Sequence, residues 1–220
     1  NRALQQFWKT LRVAVPLDQL VPSPLGRNYR TISKRKIFSY RGGFRLGLIS
    51  PDESGELKPF NVLDCAIEPV EHAVIYKQIQ ASIEKPYAKK LAKALSYVVI
   101  KGNYTEQTVI FNVRDISQEV LHAANTLSKT LTKKIGSIVG LFLYEDSSSD
   151  NYYMGSKSSG STAKFKKLFG KPEIFQRVMG RSFLYSPLSF SQINQSILEK
   201  MITTTEHLLK PKKESRLFDL

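Results

Sequence analysis

The chain has a single cysteine, Cys65, among its 220 residues. No internal disulfide framework can form, and a reducing, cytoplasmic setting is expected. No apolar run approaches the ~20 residues that cross a bilayer, so no membrane partner is expected. The N-terminus, Asn1-Arg-Ala-Leu, has no signal-peptide layout and no initiator Met, and it reads as a cut end. There are only three histidines, His72, His122 and His207. Each falls in a predicted helix, far from the others, and all three read as surface or half-buried residues without chemistry. The chain also lacks a Gly-rich phosphate loop, an HExxH pair, a paired-Cys zinc site and a nucleophile elbow. No complete catalytic constellation is therefore written in these residues.

Acids are scarce as well: 19 Asp+Glu against 33 Lys+Arg, a net charge of +14. Lys and Arg gain by displacing counterions from phosphates, so an excess of this size points to a polyanionic partner, nucleic acid first. The deficit is most one-sided between Asp18 and Asp52, where no acid occurs. Arg27, Arg30, Lys34, Arg35, Lys36, Arg41 and Arg45 all lie there, interleaved with Tyr29, Phe38, Tyr40 and Phe44. Tyr29–Tyr40 has strand-like content, Phe44, Leu46 and Leu48 alternate with Arg45 and Gly47, and Arg41-Gly42-Gly43 predicts a hairpin turn. Such a hairpin can hold single-stranded or looped RNA, with phosphates on cations and bases on rings. Phe38, Phe44 and Leu46 can equally form the inner face beneath a solvated cationic one. The candidate RNA contacts are Arg27, Arg30, Lys34, Lys36, Arg41 and Arg45. A second acid-free run, Lys157, Lys164, Lys166, Lys167 and Lys171, lies in a Ser/Gly-rich region read as a mobile loop, either tracking phosphates or merely solubilising.

The remaining elements follow from periodicity. Leu4, Phe7, Trp8 and Leu11 predict an amphipathic helix with Trp8 as a core anchor. A strand over Leu57–Leu63 delivers Cys65 just past its end. A lone Cys is ordinarily a small buried hydrophobe; the functional alternatives are a metal or cluster ligand, or a nucleophile, and no His lies close in sequence as its base. Pro69 precedes a helix with Ile75, Ile79 and Ile83 on one face and Val74 beside them, and a short helix carries Leu91 and Leu95. Ser96–Lys101 and Gln107–Val113 predict a hairpin. Ser117 is an N-cap for a helix with the stripe Val120, Ala124, Leu127 and Leu131. Ser137–Glu145 is a strand, Asp146–Asp150 a loop, Asn151–Gly155 a short strand and Ser156–Ser161 a flexible segment. Glu173–Met179 and Arg181–Tyr185 are strands around Gly180. Arg216–Leu220 reads as a strand that has only begun, so the chain reads as the front part of something larger. The fold class is α+β: an antiparallel sheet with helices packed on one face, built from strand-strand-helix units.

The segment Tyr185-Ser-Pro-Leu-Ser-Phe-Ser-Gln-Ile-Asn194, a helix, and then Arg216-Leu-Phe-Asp-Leu220 resemble the S-adenosylmethionine-dependent RNA (uracil-5-)-methyltransferases. In that family a segment S-P-x-S-F-x-Q-x-N leads into a Rossmann-like methyltransferase domain whose first strand ends in D-L-[YF]-C-G-x-G. Leu25-Gly-Arg-Asn-Tyr-Arg30 with Gly43-Phe-Arg45 is similar to the family's Y-R…G-F hairpin. Val62-Leu-Asp-Cys-Ala-Ile67 is similar to its D-x-x-x-C-x-I segment, and Asn151-Tyr-Tyr-Met-Gly155 to its N-V-I-x-G turn with two substitutions. The resemblance implies a central RNA-recognition domain over 1–182. Residues 183–220 would be the lead-in, the first helix and strand, of the methyltransferase domain.

By the same resemblance Gln192 is the glutamine that contacts S-adenosylmethionine. Cys65 is the last of four cysteines that hold a [4Fe–4S] cluster in the ribosomal-RNA branch, the other three lying upstream of Asn1. Arg45 and its hairpin face the RNA. The family's nucleophilic cysteine adds to C6 of the target uracil, C5 takes the methyl group, and a glutamate removes the C5 proton. Neither residue is in this chain, which is expected to be inactive alone. The implied function is methylation of a uridine in 23S ribosomal RNA by a monomeric protein. The alternatives are the same chemistry on transfer RNA, against which Cys65 argues, and a non-catalytic RNA-binding protein from a split gene.

Overall fold

The computed structural model describes residues 2–12, 14–146 and 164–216. Helix α1 (Arg2–Thr10) comes first and buries none of its residues. Trp8 is half-buried rather than a core anchor, and its indole N–H donates to the Val15 carbonyl at 2.9 Å. Strands β1 (Ile32–Tyr40) and β2 (Gly43–Pro51) then form the predicted hairpin. Tyr40 pairs directly with Gly43, so the turn is the two residues Arg41 and Gly42. Both are left-handed, with φ of 47° and 77°, the geometry whose twist suits a tight hairpin. The sequence places glycine where this geometry is cheap, but only at the second position; Arg41 takes the first.

Strand β3 (Leu57–Phe60) pairs with β2 at the sheet edge. Gly47 is required there: a Cβ on it would lie 2.1 Å from the Phe60 carbonyl oxygen and 2.9 Å from the Phe38 ring. Helices α2 (Val70–Ile83) and α3 (Lys89–Ala94) follow, then β4 (Leu95–Gly102) and β5 (Gln107–Val113). Helix α4 (Gln118–Lys134) is capped by Ser117, whose hydroxyl accepts from the Val120 N–H at 3.3 Å. It leads into β6 (Ile138–Glu145); after it come β7 (Phe165–Gly170), the hairpin β8 (Ile174–Val178) and β9 (Arg181–Tyr185), and α5 (Leu198–Leu209).

The seven-stranded sheet runs β3-β2-β1-β4-β5-β6-β7, and β8–β9 form a separate pair. The sheet is mostly antiparallel, which corrects the expectation of a purely antiparallel one: β5 and β6 are parallel. The physical reason is α4, which carries the chain back across the sheet before β6 starts.

Helices α2, α3 and α4 cover one face. Ile75, Ile79, Leu91, Val120, Leu127 and Leu131 meet Leu46, Val98, Ile100, Phe111 and Leu143 there. Tyr97, Val99, Ile110, Phe142 and Tyr144 form a smaller cluster on the second face. Phe165 of β7 stacks on Phe142, ring centroids 4.7 Å apart. Lys166 and Lys167 therefore stand on an edge strand, not on the loop expected for the second basic run. The expected loop at 147–150, the strand at 151–155, the segment 156–161 with Lys157, and most of the strand at 216–220 lie outside the described residues.

Candidate nucleic-acid interface and the segment carrying Gln192

In β1 every second side chain points to the helices, and Ser33, Arg35 and Ile37 are the buried ones. Lys34, Lys36 and Phe38 project to the second face. Phe38 is therefore not part of the inner face, whereas Leu46 is. Lys34 and Lys36 are brought together: their ammonium groups stand 5.5 Å and 5.7 Å from the centre of the Tyr97 ring. Burial lowers the Lys34 pKa, and the charges of Arg30 and Lys36 lower it further. With Ile49 and Leu57 these three residues line a cavity of about 260 Å³.

The other predicted contacts are spread along the hairpin. Arg27 and Arg30 are exposed before β1, and the Arg30 Nε donates to the Ile32 carbonyl at 3.1 Å. Arg41 is exposed at the tip, its guanidinium 5.2 Å from the Tyr40 ring centre. Arg45 is engaged within the protein, 2.5 Å from Glu84 at the end of α2. Lys167, from the second basic run, pairs across the ladder with Phe142 and so shares the second face with Lys34 and Lys36.

Arg35, in the middle of the basic run, is fully buried. It grips Glu68 with two bonds, Nη1 to Oε1 at 3.0 Å and Nη2 to Oε2 at 2.8 Å, and its Nε donates to the Val62 carbonyl at 2.6 Å. Burial works against its charge, but the Glu68 bond and the charges of neighbouring Tyr76, Glu68 and Cys65 outweigh that and raise its pKa. The guanidinium also lies 4.5 Å from the Tyr76 ring centre. Behind it runs a polar chain. The Gln107 side-chain N–H donates to the Asn103 carbonyl, which turns its Oε1 toward His72 Nε2 at 3.1 Å. His72 Nε2 must then carry the proton, so Nδ1 accepts from the Ser33 hydroxyl at 2.8 Å, and Ser33 accepts from Tyr76 at 2.9 Å. His72 is fully buried, neither at the surface nor half-buried as expected, and burial holds its pKa down at about 4. The β1 alternation is the signal that places Arg35 inward, because Ser33 and Ile37 share its parity. Nothing comparable in the sequence marks Glu68 or His72.

The ion pair fixes the loop 61–68. The Glu68 N–H bonds to the Cys65 carbonyl at 3.0 Å, and Asn28 and Arg30 donate their N–H groups to Ala66 and Ile67. Cys65 sits there half-buried with a free thiol. Among the described residues no group of three or more His, Cys, Asp or Glu side chains could hold a metal ion. A cluster needs four thiolates and the chain contains one, so the residues present do not fit it.

The segment after β9 is bound to the end of the sheet. The Thr31 N–H donates to the Ile193 carbonyl at 2.8 Å, and Arg30 and Asn194 form an antiparallel bridge. The Gln195 side chain donates to the Gly102 carbonyl at 2.9 Å, and the Ser196 N–H to the Tyr104 hydroxyl at 3.0 Å. Gln192 is exposed between these anchors and lines none of the cavity beside Lys34. Lys101, which the sequence did not single out, is only 2% exposed. Its ammonium donates to the carbonyls of Pro187, at 3.1 Å, and Ser189, and burial pushes its pKa down to about 8.

Comparisons with known proteins bear on this arrangement. The chain is 21% identical over 197 residues to a protein of Lactobacillus johnsonii named "Uncharacterized RNA methyltransferase", covering 87% of this chain and 40% of that protein. It is similar in structure to Pyrococcus abyssi tRNA (uracil-54, C5)-methyltransferase in complex with S-adenosyl-L-homocysteine. That match has a TM-score of 0.64 at 17% identity and covers 94% of this chain and 48% of the other. The two share a fold, and the chain spans less than half the length of each of these relatives. No protein-family model matches. Among the described residues no helix is long and apolar enough to cross a membrane.

Proposed function

We propose that the chain belongs to an S-adenosylmethionine-dependent RNA (uracil-5-)-methyltransferase, in which 1–182 recognise RNA and 183–220 lead into the catalytic domain. The observation that carries this reading is the fold correspondence over 94% of the chain with an enzyme of that chemistry. The cations on β1 and at the hairpin tip supply the phosphate-binding surface. The proposed RNA contacts are Arg27, Arg30, Lys34, Lys36, Arg41 and Arg45. Gln192 is the one residue here assigned to S-adenosylmethionine, which would supply the methyl group. Cys65 is assigned no covalent role; its loop is tied to β1 by the bonds of Arg35 to Val62 and Glu68.

Ribosomal RNA is the proposed substrate, from the segment around Cys65. Transfer RNA is the second reading, and the substrate named for the Pyrococcus abyssi enzyme favours it. The deciding experiment incubates the full-length protein with labelled S-adenosylmethionine and unmodified 23S ribosomal RNA or transfer RNA. Label at uracil C5 in either RNA supports the methyltransferase and names the branch. Absence of label in both, with binding to RNA intact, would leave an RNA-binding protein without this activity.

A further inference from the structure

Lys101 costs the fold something to keep. A buried ammonium loses its hydration, and among the described residues no carboxylate pairs with it. An apolar residue on a central strand would be cheaper, so the position is informative about what the ammonium holds. Its two acceptors, the Pro187 and Ser189 carbonyls, belong to one turn, closed by the Ser189 N–H on the Ser186 carbonyl at 2.9 Å. The Tyr185 ring, 5.5 Å away, receives the third side of the cation. Lys101 thus gathers Tyr185, Pro187 and Ser189 onto the second face of β4. Next along the chain, Ile193 and Asn194 are bonded to Thr31 and Arg30. Gln192 lies in the three-residue interval between the two attachments, on the backbone that borders Arg30.

We propose that Lys101 is a positioning residue that fixes the 186–194 segment, and so sets where Gln192 stands relative to the RNA-binding end of β1. This rests on the reading of Gln192 as a contact of S-adenosylmethionine. The donors must be intact for the clamp to hold, and at neutral pH the ammonium keeps its proton. The sheet and its cations do not depend on the clamp, because β4 is paired on both sides by β1 and β5.

The test uses Lys101→Met in the full-length protein, with hydrogen exchange, S-adenosylhomocysteine affinity and methyl-transfer kinetics. Exchange at the amides of 186–196 is expected to quicken at least tenfold, while β4 and β5 stay protected. The KM for S-adenosylmethionine is expected to rise about tenfold, with kcat and RNA affinity within about twofold. Lys101→Gln, which keeps a shorter, neutral N–H donor group, should fall between, and it replaces the Met variant if that fails to fold. In the double variant with Gln192→Ala, the affinity loss should be no greater than for Gln192→Ala alone, since Lys101 acts through that residue. Unchanged exchange at 186–196, or losses that add in the double variant, overturn the proposal. A wild-type protein that takes up no S-adenosylhomocysteine, or a Gln192→Ala variant that binds it normally, sinks instead the assignment of the segment to the cofactor, whatever the exchange shows.

Discussion

Glu68 and His72 show how much of the molecule rests on single side chains. Removing Glu68 leaves the Arg35 guanidinium buried without its counter-charge, a change that costs ~3–5 kcal/mol. Glu68→Ala should therefore lower the denaturation midpoint sharply and free the loop that holds Cys65. A control at Glu84, whose partner Arg45 is part-exposed, should shift it by less than ~1 kcal/mol. His72 makes a different prediction. Its folded pKa, about 4, lies below the usual value of 6.5, so the native state holds it neutral and the unfolded chain takes up the proton first. Stability contributed this way is complete above pH 6.5 and lost as pH falls toward 4, amounting to ~3 kcal/mol. Chemical denaturation followed between pH 7 and 4.5 should show that loss, and His72→Gln should flatten it. The cations divide in the same manner. Arg30→Ala, Lys34→Ala and Lys36→Ala should each weaken RNA binding and reduce its salt slope by about 1. Arg45→Ala should do less, since Glu84 already engages that charge.

At the scale of elements, two hairpins solve one problem the same way. Met179-Gly180 joins β8 to β9 with φ of 48° and 74°, repeating Arg41-Gly42. A side chain at the first left-handed position costs ~1–2 kcal/mol, less for Asn. Met179→Asn should thus raise thermal stability by ~1 kcal/mol while keeping the backbone N–H that donates to Glu199 at 2.7 Å. These elements also mark what a sequence can disclose. Strand β5 and the Ser117 cap are local matters, written in a β-rich run and one hydroxyl, and both stand where the residues put them. The parallel β5–β6 pair is not local, because it depends on which way α4 returns the chain. Alternation along β1 can turn Arg35 inward, but nothing local shows what it pairs with, because its acceptor, Glu68, lies 33 residues away. Lys101 was invisible for the same reason: its acceptors are 86 and 88 residues further on.

For the molecule as a whole, the sheet turns two distant basic runs into one surface. Lys34 and Lys36 on β1 and Lys167 on β7 share a face, with β4, β5 and β6 between. Four strand spacings of ~4.8 Å put the two ends ~19 Å apart, enough for a few nucleotides of extended strand. Arg30 and Arg41 extend that surface past both ends of β1. If five or six of these cations neutralise phosphates of single-stranded or looped RNA, log K should fall against log salt with a slope of about −4. Raising salt from 50 to 200 mM should then cost about 2.5 decades of affinity, measurable by fluorescence anisotropy on a labelled RNA hairpin. A net charge of +14 alone would also give a steep slope, but on any polyanion. The discriminating comparison is duplex DNA of equal length at the same salt. An organised face should prefer the hairpin loop by tenfold or more and lose that preference in the Lys34→Ala, Lys167→Ala double variant. Equal binding to both nucleic acids would reduce the face to unstructured positive charge.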